Sequence, residues 1–287
     1  MFIAVTRFSL FMPDSNSWVL SRGAKDKQDI NAYINKLYDE DRLNFRISFL
    51  KEVTLPLLDE ASKGYKFLHI LEYSSNLPEK YIGILKELEH KFHFLKLNMH
   101  SIESDKKVLQ PHQIAVKYFD KDFSDRDQPV GMFVLDDDDC VSLNYFKIMS
   151  KYLNAKFNGF AVSLGLGVVG IFNSNYELQN ITENYYPKIN IGLMRIGMYR
   201  YQKNSIIFPR MGSHSKADKF LPTILDSREL CYFWSKHPTQ DTKNYSSYDS
   251  EVTRLLNAPK VCDESMNTNF GSNFINRLER LKDWRIT

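Results

Sequence analysis

The chain has 287 residues, of which 43% are hydrophobic and 14% aromatic, so it can bury a large core and intrinsic disorder is excluded. Its formal net charge of +3 is too small to indicate a nucleic-acid partner, although it suits an anionic small substrate or a loose contact with an anionic membrane surface. The three cysteines are widely spaced, which argues against a disulfide framework or a zinc site and favours a reducing cytoplasm.

The first half of the sequence alternates between strand and helix patterns. The strand "FIAVTRFSLF" precedes a helical periodicity over "INKLYDEDRLNFRISFLKEVTLPLLDEAS". A second strand, "KFLHILEYSS", precedes the helix "PEKYIGILKELEHKF", and "HFLKLNMHS" is a third strand. This βαβαβ run predicts a parallel sheet flanked by helices, with ligands bound beyond the carboxyl ends of its strands.

After residue 150 the pattern changes to short strands joined by turns: "FNGFAVSLGLGVVGIFN", "YELQNIT", "INIGLMRIGM" and "SIIFPRMG". The predicted fold class is therefore α/β, a Rossmann-like mixed sheet flanked by helices with a more antiparallel second half. No linker separates the halves, so a single domain over residues 1–287 is expected. It ends in a helical elaboration, "SNFINRLERLKDWRIT", a basic amphipathic helix whose role is either a solvated surface or a contact with a membrane or partner.

The stretch "GLGVVG" satisfies the GxGxxG pattern of dinucleotide-binding proteins. That fingerprint requires a turn from a strand into a helix and a ribose-binding carboxylate about 20 residues later. The next residues in the chain, "IFNSNYELQNIT", have a strand and turn pattern instead. We therefore predict a strand in which the glycines allow a bulge or a close backbone approach.

Four aspartates, Asp136 to Asp139, come directly after the apolar strand pattern "VGMFVL". Carboxylates this close raise one another's pKa unless solvent or a cation lies between them, so the segment is either an exposed acidic turn or a metal site. A buried strand that ends in Asp-x-Asp is what a nucleotide-sugar enzyme requires, because one carboxylate can contact the ribose while another holds a divalent cation against the donor diphosphate. Hard oxygen ligands favour Mg²⁺ or Mn²⁺.

Several blocks of the chain resemble the bacterial family of putative rhamnosyltransferases, which are similar in design to glycosyltransferases of the A fold. The most specific blocks are "LDDDD", "TRFSLF", "LYDEDRLNFRISFLKEVTLPLL" and "SSNLPEKYIGIL"; "INIGLMRIG" and, more loosely, "WSKHPTQDTKN" extend the resemblance. It implies a glycosyltransferase-A-like domain, with residues 1–146 as the nucleotide-sugar-binding half. Residues 147–287 would then hold the acceptor-binding half and the C-terminal elaboration.

The resemblance also implies roles for individual residues. Aligned with the A-fold pattern, Asp136 takes the ribose-facing place, Asp137 is the spacer within the donor-binding segment, and Asp138 and Asp139 are metal contacts. The first strand and its loop supply the surface for the nucleotide base; its residues are Thr6, Arg7 and Phe8.

Arg42 and Arg46 lie four residues apart on one helical face, near enough to bind a donor phosphate together. The alternative is that they form ion pairs with Asp39 or Glu52. Both interpretations stay open at the level of sequence.

Two histidines could close the site, since A-fold enzymes often bring a C-terminal histidine to the metal or the diphosphate. His237 is preferred, because its neighbours are suited to a sugar phosphate: Trp234, Thr239, Gln240 and Lys243. Lys243 is counted with the donor-binding residues, and Trp234 could shield the histidine from water. His214, between Arg210 and Lys216, is the competing candidate for the donor.

An inverting transfer needs a base that deprotonates the acceptor hydroxyl. The chain lacks the Glu-Asp pair typical of inverting A-fold enzymes. The candidate bases are Glu183, Asp218 and Asp241, and the sequence does not distinguish an inverting from a retaining mechanism.

The predicted function is that of a cytoplasmic, metal-dependent glycosyltransferase, with a dTDP-, UDP- or GDP-linked sugar as donor and a saccharide or lipid-linked saccharide as acceptor. Synthesis of bacterial surface polysaccharide, with peripheral contact to the inner membrane, is the expected setting. The alternative is a carbohydrate- or nucleotide-binding protein without activity. A nucleotidyltransferase is disfavoured, because "TRFSLFMPDSNSW" lacks the usual glycine- and lysine-rich loop.

Overall fold

The structure is a computed structural model, and it describes residues 1–13, 15, 21, 27–102, 108–123, 125–240 and 250–285. The elements of the first half, in chain order, are β1 Phe2–Arg7, α1 Lys27–Leu37, α2 Glu40–Phe49, α3 Leu55–Ala61, β2 Phe67–Ser74, α4 Glu79–Lys91, β3 Leu95–His100, α5 Pro111–Tyr118, β4 Gln128–Val134, β5 Cys140–Val141 and α6 Tyr145–Ser150. The elements of the second half are β6 Ala161–Ser163, β7 Leu166–Phe172, β8 Leu178–Tyr185, β9 Met194–Arg200, β10 Ser205–Ile207, β11 Thr223–Leu225, β12 Tyr232–Lys236, α7 Ser250–Leu256, α8 Asp263–Phe270 and α9 Phe274–Glu279.

The described strands form two sheets, which confirms the predicted mixed α/β fold flanked by helices. The larger sheet has the order β11-β6-β9-β4-β1-β2-β3, with β10 paired to β9. Strands β4, β1, β2 and β3 are parallel neighbours, as the βαβαβ pattern predicts. Strand β9 is antiparallel to both β4 and β6, so β6 and its parallel neighbour β11 point in the same direction as β4. The carboxyl ends of six strands therefore meet at one edge.

The long helical pattern after the first strand is interrupted. Helix α1 ends at Leu37 and α2 begins at Glu40, because the side chain of Asp39 caps α2 by accepting a hydrogen bond from the backbone N–H of Arg42 at 3.0 Å. A π-helical turn at Leu50–Thr54 then joins α2 to α3. Most residues of α2 are buried, the charged Arg42 and Arg46 included.

The smaller sheet has the order β5-β12-β7-β8 and contains the "GLGVVG" stretch inside strand β7. A Cβ atom on Gly170 would lie 2.1 Å from Cζ of Phe233, and one on Gly167 would lie 2.5 Å from the carbonyl oxygen of Tyr232. The prediction of a strand with close backbone approach is therefore confirmed. The glycines let β12 pack directly against β7.

The C-terminal helix packs its apolar side inside the protein. Phe274 and Leu278 of α9 are buried in a cluster that also contains Phe45 of α2 and Phe233 of β12. Within the described part of the chain, no helix is both long enough and apolar enough to cross a membrane.

Candidate functional site

The acidic segment begins where strand β4 leaves the large sheet. The backbone N–H of Leu135 still donates to the carbonyl of Val5 in β1 at 3.1 Å, and the four aspartates come next, at the carboxyl edge. Asp136 is exposed, whereas Asp137, Asp138 and Asp139 are buried. The segment is therefore not a solvated acidic turn, and its buried charges need partners.

Arg46 of helix α2 is a cationic partner of this segment. Its Nη1 atom donates to Oδ1 of Asp137, and its Nη2 atom lies 3.1 Å from Oδ2 of Asp138. Only 5% of Arg46 is exposed, so this is a buried ion-pair network. The sequence left a donor phosphate and ion pairs with Asp39 or Glu52 open as partners of Arg46, and it did not identify the aspartates of this segment.

Arg42, one turn earlier, is also buried but contacts different groups. Its Nη1 atom donates to Oγ of Ser9 and to the carbonyl of Leu37, both at 2.8 Å. Asp39 accepts from the backbone of Arg42, and Glu52 lies 3.7 Å from Lys51. The alternative of arginine ion pairs with Asp39 or Glu52 is therefore not what the structure shows.

His237 comes directly after strand β12 and lies against the acidic segment. Its Nε2 atom is 2.8 Å from Oδ2 of Asp138, and its Nδ1 atom is 3.1 Å from Oγ1 of Thr239. The imidazole is fully buried, and the ring of Phe45 covers it at 4.4 Å between centroids. Tyr176 stacks on Phe45 at 4.7 Å, so an aromatic pair keeps water from the ring. The sequence grouped His237 with the aspartates, and the structure brings them together.

Contrary to the expectation from the sequence, Trp234 does not shield His237. Side chains alternate along a strand, so Trp234 and Lys236 point to the opposite face of β12 from His237. The Nζ atom of Lys236 lies 4.4 Å from the Trp234 ring centroid, and the ring of Tyr186 is 6.2 Å away. The residue that shields His237 is Phe45 of helix α2. Sequence analysis missed it because Phe45 is far from His237 along the chain.

The buried aspartates differ in their electrostatics. Burial opposes the charge on Asp138, but the Arg46 guanidinium and the hydrogen bond from His237 together hold its pKa well below the ordinary value. Burial, reinforced by the charges of Asp138 and Asp136, instead raises the pKa of Asp139 well above its ordinary value. Asp138 is thus the carboxylate kept ionised, whereas Asp139 is protonated more readily than an ordinary aspartate.

Asp139 joins three elements of the fold. Its Oδ1 atom accepts from the backbone N–H of Ser235 in β12 at 2.9 Å, and its carbonyl accepts from Oγ1 of Thr54 at 3.0 Å. These bonds hold the end of the acidic segment against β12, two residues before His237. Asp139 therefore positions the strand that carries the histidine.

The first strand was expected to line the surface for the nucleotide base, but most of its predicted residues are buried. Thr6 and Phe8 are fully buried, while Arg7 is exposed with its Nε atom 3.9 Å from Oε2 of Glu72. Oγ1 of Thr6 donates to the carbonyl of Leu135 at 2.5 Å and accepts from Nε2 of His69 at 2.8 Å. Of the three residues, only Arg7 has an exposed side chain.

The hydrogen bonds and ion pairs described for His214, Asp218 and Glu183 do not include Asp138 or His237. Nδ1 of His214 donates to the carbonyl of Lys188 at 2.8 Å, and Nζ of Lys188 lies 2.6 Å from Oδ1 of the exposed Asp218. Glu183 is exposed on β8, at the edge of the smaller sheet. Asp241 and Lys243 lie outside the described residues.

Sequence analysis missed a buried carboxylate at the same sheet edge. Asp226, directly after β11, accepts from Nε and Nη2 of Arg228 at 2.8 Å each and from the hydroxyl of Tyr152 at 2.7 Å. The available signal was the apolar run "PTIL" before Asp226, a shorter version of the pattern that precedes Asp136.

Asp138 and His237 have the donor atoms to hold a divalent cation. Two neighbouring ligands about 2.1 Å from an octahedral Mg²⁺ lie roughly 3 Å apart, and the observed separation of Oδ2 and Nε2 is 2.8 Å. The Thr239 hydroxyl can donate to or accept from Nδ1, so Nε2 can release its proton and become a ligand. The described residues contain no group of three or more such ligands, and Mg²⁺ sites commonly take the remainder from phosphates and water.

A match to a protein family supports the resemblance drawn from the sequence. Residues 1–247 match the family described as putative rhamnosyl transferase, which confirms the resemblance and the predicted glycosyltransferase class. The crystal structure of S. aureus TarS 1-349 is similar with a TM-score of 0.33 and 11% sequence identity, over 96% of this chain and 71% of that chain. Its complex with UDP gives the same values. No curated protein matches the chain.

Proposed function

This chain belongs to the putative rhamnosyl transferase family, and we propose that it is a metal-dependent glycosyltransferase. It moves a sugar from a dTDP-, UDP- or GDP-linked donor to a saccharide or lipid-linked saccharide acceptor, in the assembly of a bacterial surface polysaccharide. The reaction takes place in the cytoplasm or at the inner face of the membrane. The observation that carries the proposal is the buried contact between Asp138 and His237 at the carboxyl edge of the sheet.

Asp138 and His237 would hold Mn²⁺ or Mg²⁺ together with the donor diphosphate. The cation would supply Lewis-acid stabilisation of the negative charge that builds on the leaving nucleoside diphosphate. Arg46 keeps Asp138 ionised, Thr239 orients the imidazole, and Phe45 excludes water from it. The exposed Asp136 lies next to this pair, where the ribose of a bound donor would be reached.

The acceptor is proposed to enter beside the same edge, on the side of β6 and β11. Asp226 is the buried carboxylate there, and hydrogen bonds from Arg228 lower its pKa below the ordinary value. A carboxylate held ionised in this way accepts hydrogen bonds from a sugar well but is a weak base. Among the bases expected from sequence, Glu183 and Asp218 are exposed, and Asp241, four residues after His237, is the candidate to test.

Titration calorimetry with UDP, GDP and dTDP, each with and without Mn²⁺, tests the proposal. We expect one of the three nucleotides to bind with Mn²⁺ present and to bind at least tenfold more weakly when EDTA removes it. Equal binding under both conditions would remove the metal from the proposal. Absence of binding by all three would contradict the donor class.

A further inference from the structure

Arg46 occupies the position where a divalent cation would be needed to balance charge. Its guanidinium contacts both Asp137 and Asp138, and all three side chains are buried. Oδ2 of Asp138 is shared between Nη2 of Arg46 at 3.1 Å and Nε2 of His237 at 2.8 Å. A cation bound to that oxygen would therefore lie within a few ångströms of a positive charge in a medium that screens poorly.

We propose that Arg46 is the internal counter-ion of the site and competes with the divalent cation for Asp138. In the absence of the cation, Arg46 brings positive charge to the buried Asp137 and Asp138, which favours folding with the site assembled. The same contact weakens cation binding, because the incoming charge must displace or approach the guanidinium. This inference rests on the proposed function.

A bound donor would relieve this competition. A diphosphate brings negative charge to the site, and a guanidinium binds phosphate oxygens as readily as carboxylate oxygens. Arg46 then has an alternative partner when the cation takes Asp138. Cation and nucleotide are therefore expected to bind cooperatively, with Arg46 as the group that couples them.

A purely structural role for Arg46 makes a different prediction. If the guanidinium only stabilises the fold, its removal lowers stability and leaves the affinity of the folded protein for Mn²⁺ unchanged or reduced. If it competes with the cation, its removal raises that affinity. The measurement that separates them is Mn²⁺ binding without nucleotide, monitored by electron paramagnetic resonance of free Mn²⁺ and by thermal melting.

The test uses Arg46→Gln with Arg195→Gln as a matched control. Arg195 is also mostly buried, but its Nη1 atom donates to the carbonyl of Pro209 and its guanidinium lies over Phe208. Among the residues that the structure describes, no carboxylate forms an ion pair with it. We expect Arg46→Gln to melt at a lower temperature, to bind Mn²⁺ at least tenfold more tightly than the parent, and to regain melting temperature when Mn²⁺ is added. Arg195→Gln should keep the parent's Mn²⁺ affinity and gain nothing in melting temperature from the ion.

Arg46→Lys covers the case in which Arg46→Gln does not fold. Lysine keeps the charge but lacks the planar fork that bridges two carboxylates, so Mn²⁺ affinity should rise severalfold. Unchanged or weaker Mn²⁺ binding by a folded Arg46 variant would overturn the inference. If the parent binds nucleotide only with Mn²⁺ but a folded Arg46 variant binds Mn²⁺ no more tightly than the parent, the inference fails while the proposed function stands. If the parent shows no Mn²⁺-dependent nucleotide binding, the proposed function fails first.

Discussion

The Nε2 atom of His237 lies 2.8 Å from the Oδ2 atom of Asp138, although 99 positions separate the two residues in the chain. Each residue comes after a different strand, and the two strands belong to different sheets. Together with the hydrogen bond from the Ser235 N–H to Asp139, their contact joins the acidic segment to the second half of the molecule. It also supplies the two side chains on which the proposed metal-dependent transfer relies.

Asp138→Asn should abolish the cation dependence of nucleotide binding. Asparagine keeps the shape of aspartate but removes the charge that holds a divalent cation, while Arg46 retains its contact with Asp137. We expect nucleotide affinity in Mn²⁺ to fall at least tenfold, or about 1.4 kcal/mol, with a small change in melting temperature. Calorimetry beside thermal melts measures both. Nucleotide and metal binding like that of the parent would show that Asp138 is not a ligand.

His237→Ala should impair turnover more than folding. A positioned ligand acts mainly as charge develops on the leaving group, so its loss should lower the rate on the order of 10² to 10³, by analogy with the removal of one electrostatic donor. His214→Ala is the matched comparison, because His214 contacts only the carbonyl of Lys188 among its described hydrogen bonds. Donor hydrolysis or transfer is measured at saturating Mn²⁺. Full activity of His237→Ala with a dead His214→Ala would move the role to His214.

Gly170→Ala should destabilise the protein without changing the affinity of the folded protein for a divalent cation. The new Cβ atom would meet the Phe233 ring 2.1 Å away in a buried strand pair, so we expect a loss of about 1 to 3 kcal/mol in the free energy of unfolding. Gly83→Ala is the control, since nothing lies within 4 Å of its Cβ position and alanine favours the α4 helix. Urea denaturation compares the two. Parent-like stability of Gly170→Ala would contradict the close packing of β7 on β12.

His69 should make the protein less stable in acid. Burial lowers the pKa of His69 from 6.5 to about 3, so the folded state keeps the imidazole neutral where the unfolded chain already binds a proton. Stability is therefore fully present above pH 6.5 and is lost as pH falls from 6.5 towards 3. Between pH 7 and 4.5 this group should contribute a loss of about 2 to 3 kcal/mol.

His69→Gln isolates this contribution to acid stability. Its amide can still donate to Thr6, as Nε2 of His69 does, but it does not titrate. Unfolding free energies of both proteins are measured in urea at pH 7 and pH 4.5. The variant should lose less stability than the parent over this interval, and equal losses would refute the assignment.

The cysteines should differ sharply in reactivity. Cys140 and Cys231 are buried, and Cys262 is exposed. Burial raises the pKa of the Cys231 thiol to about 12 and also raises the pKa of Cys140. A thiol reagent at pH 8 should modify one cysteine in the native protein and three in urea. Rapid modification of a second thiol without urea would be inconsistent with the packing around β5 and β12.

Hydrophobic periodicity alone predicted most of the elements near the site. It located β1 to β4, the helix after β2 and the short strands of the second half, because burial of one face imposes a period on the sequence. It also placed Asp136 to Asp139 at a carboxyl edge, since parallel strands bring their ends together. The interruption of the helix at Asp39 was not predicted. The pattern of apolar residues continues on both sides of it, and only the capping bond between Asp39 and Arg42 separates the two helices.

Local patterns determined which residues carry charge at the edge of this sheet, but the tertiary structure decided what those charges meet. Arg46 could equally have faced a phosphate or a nearby carboxylate, and its partner Asp137 lies 91 positions away. Thr6 was expected to line the surface for the nucleotide base, but its hydroxyl donates a hydrogen bond to the carbonyl of Leu135. Phe45 covers His237 in the place predicted for Trp234. Side-chain periodicity sets the face on which a residue lies. Which faces pack together depends on how the helices and the two sheets cross, and that is determined only when the whole core is closed.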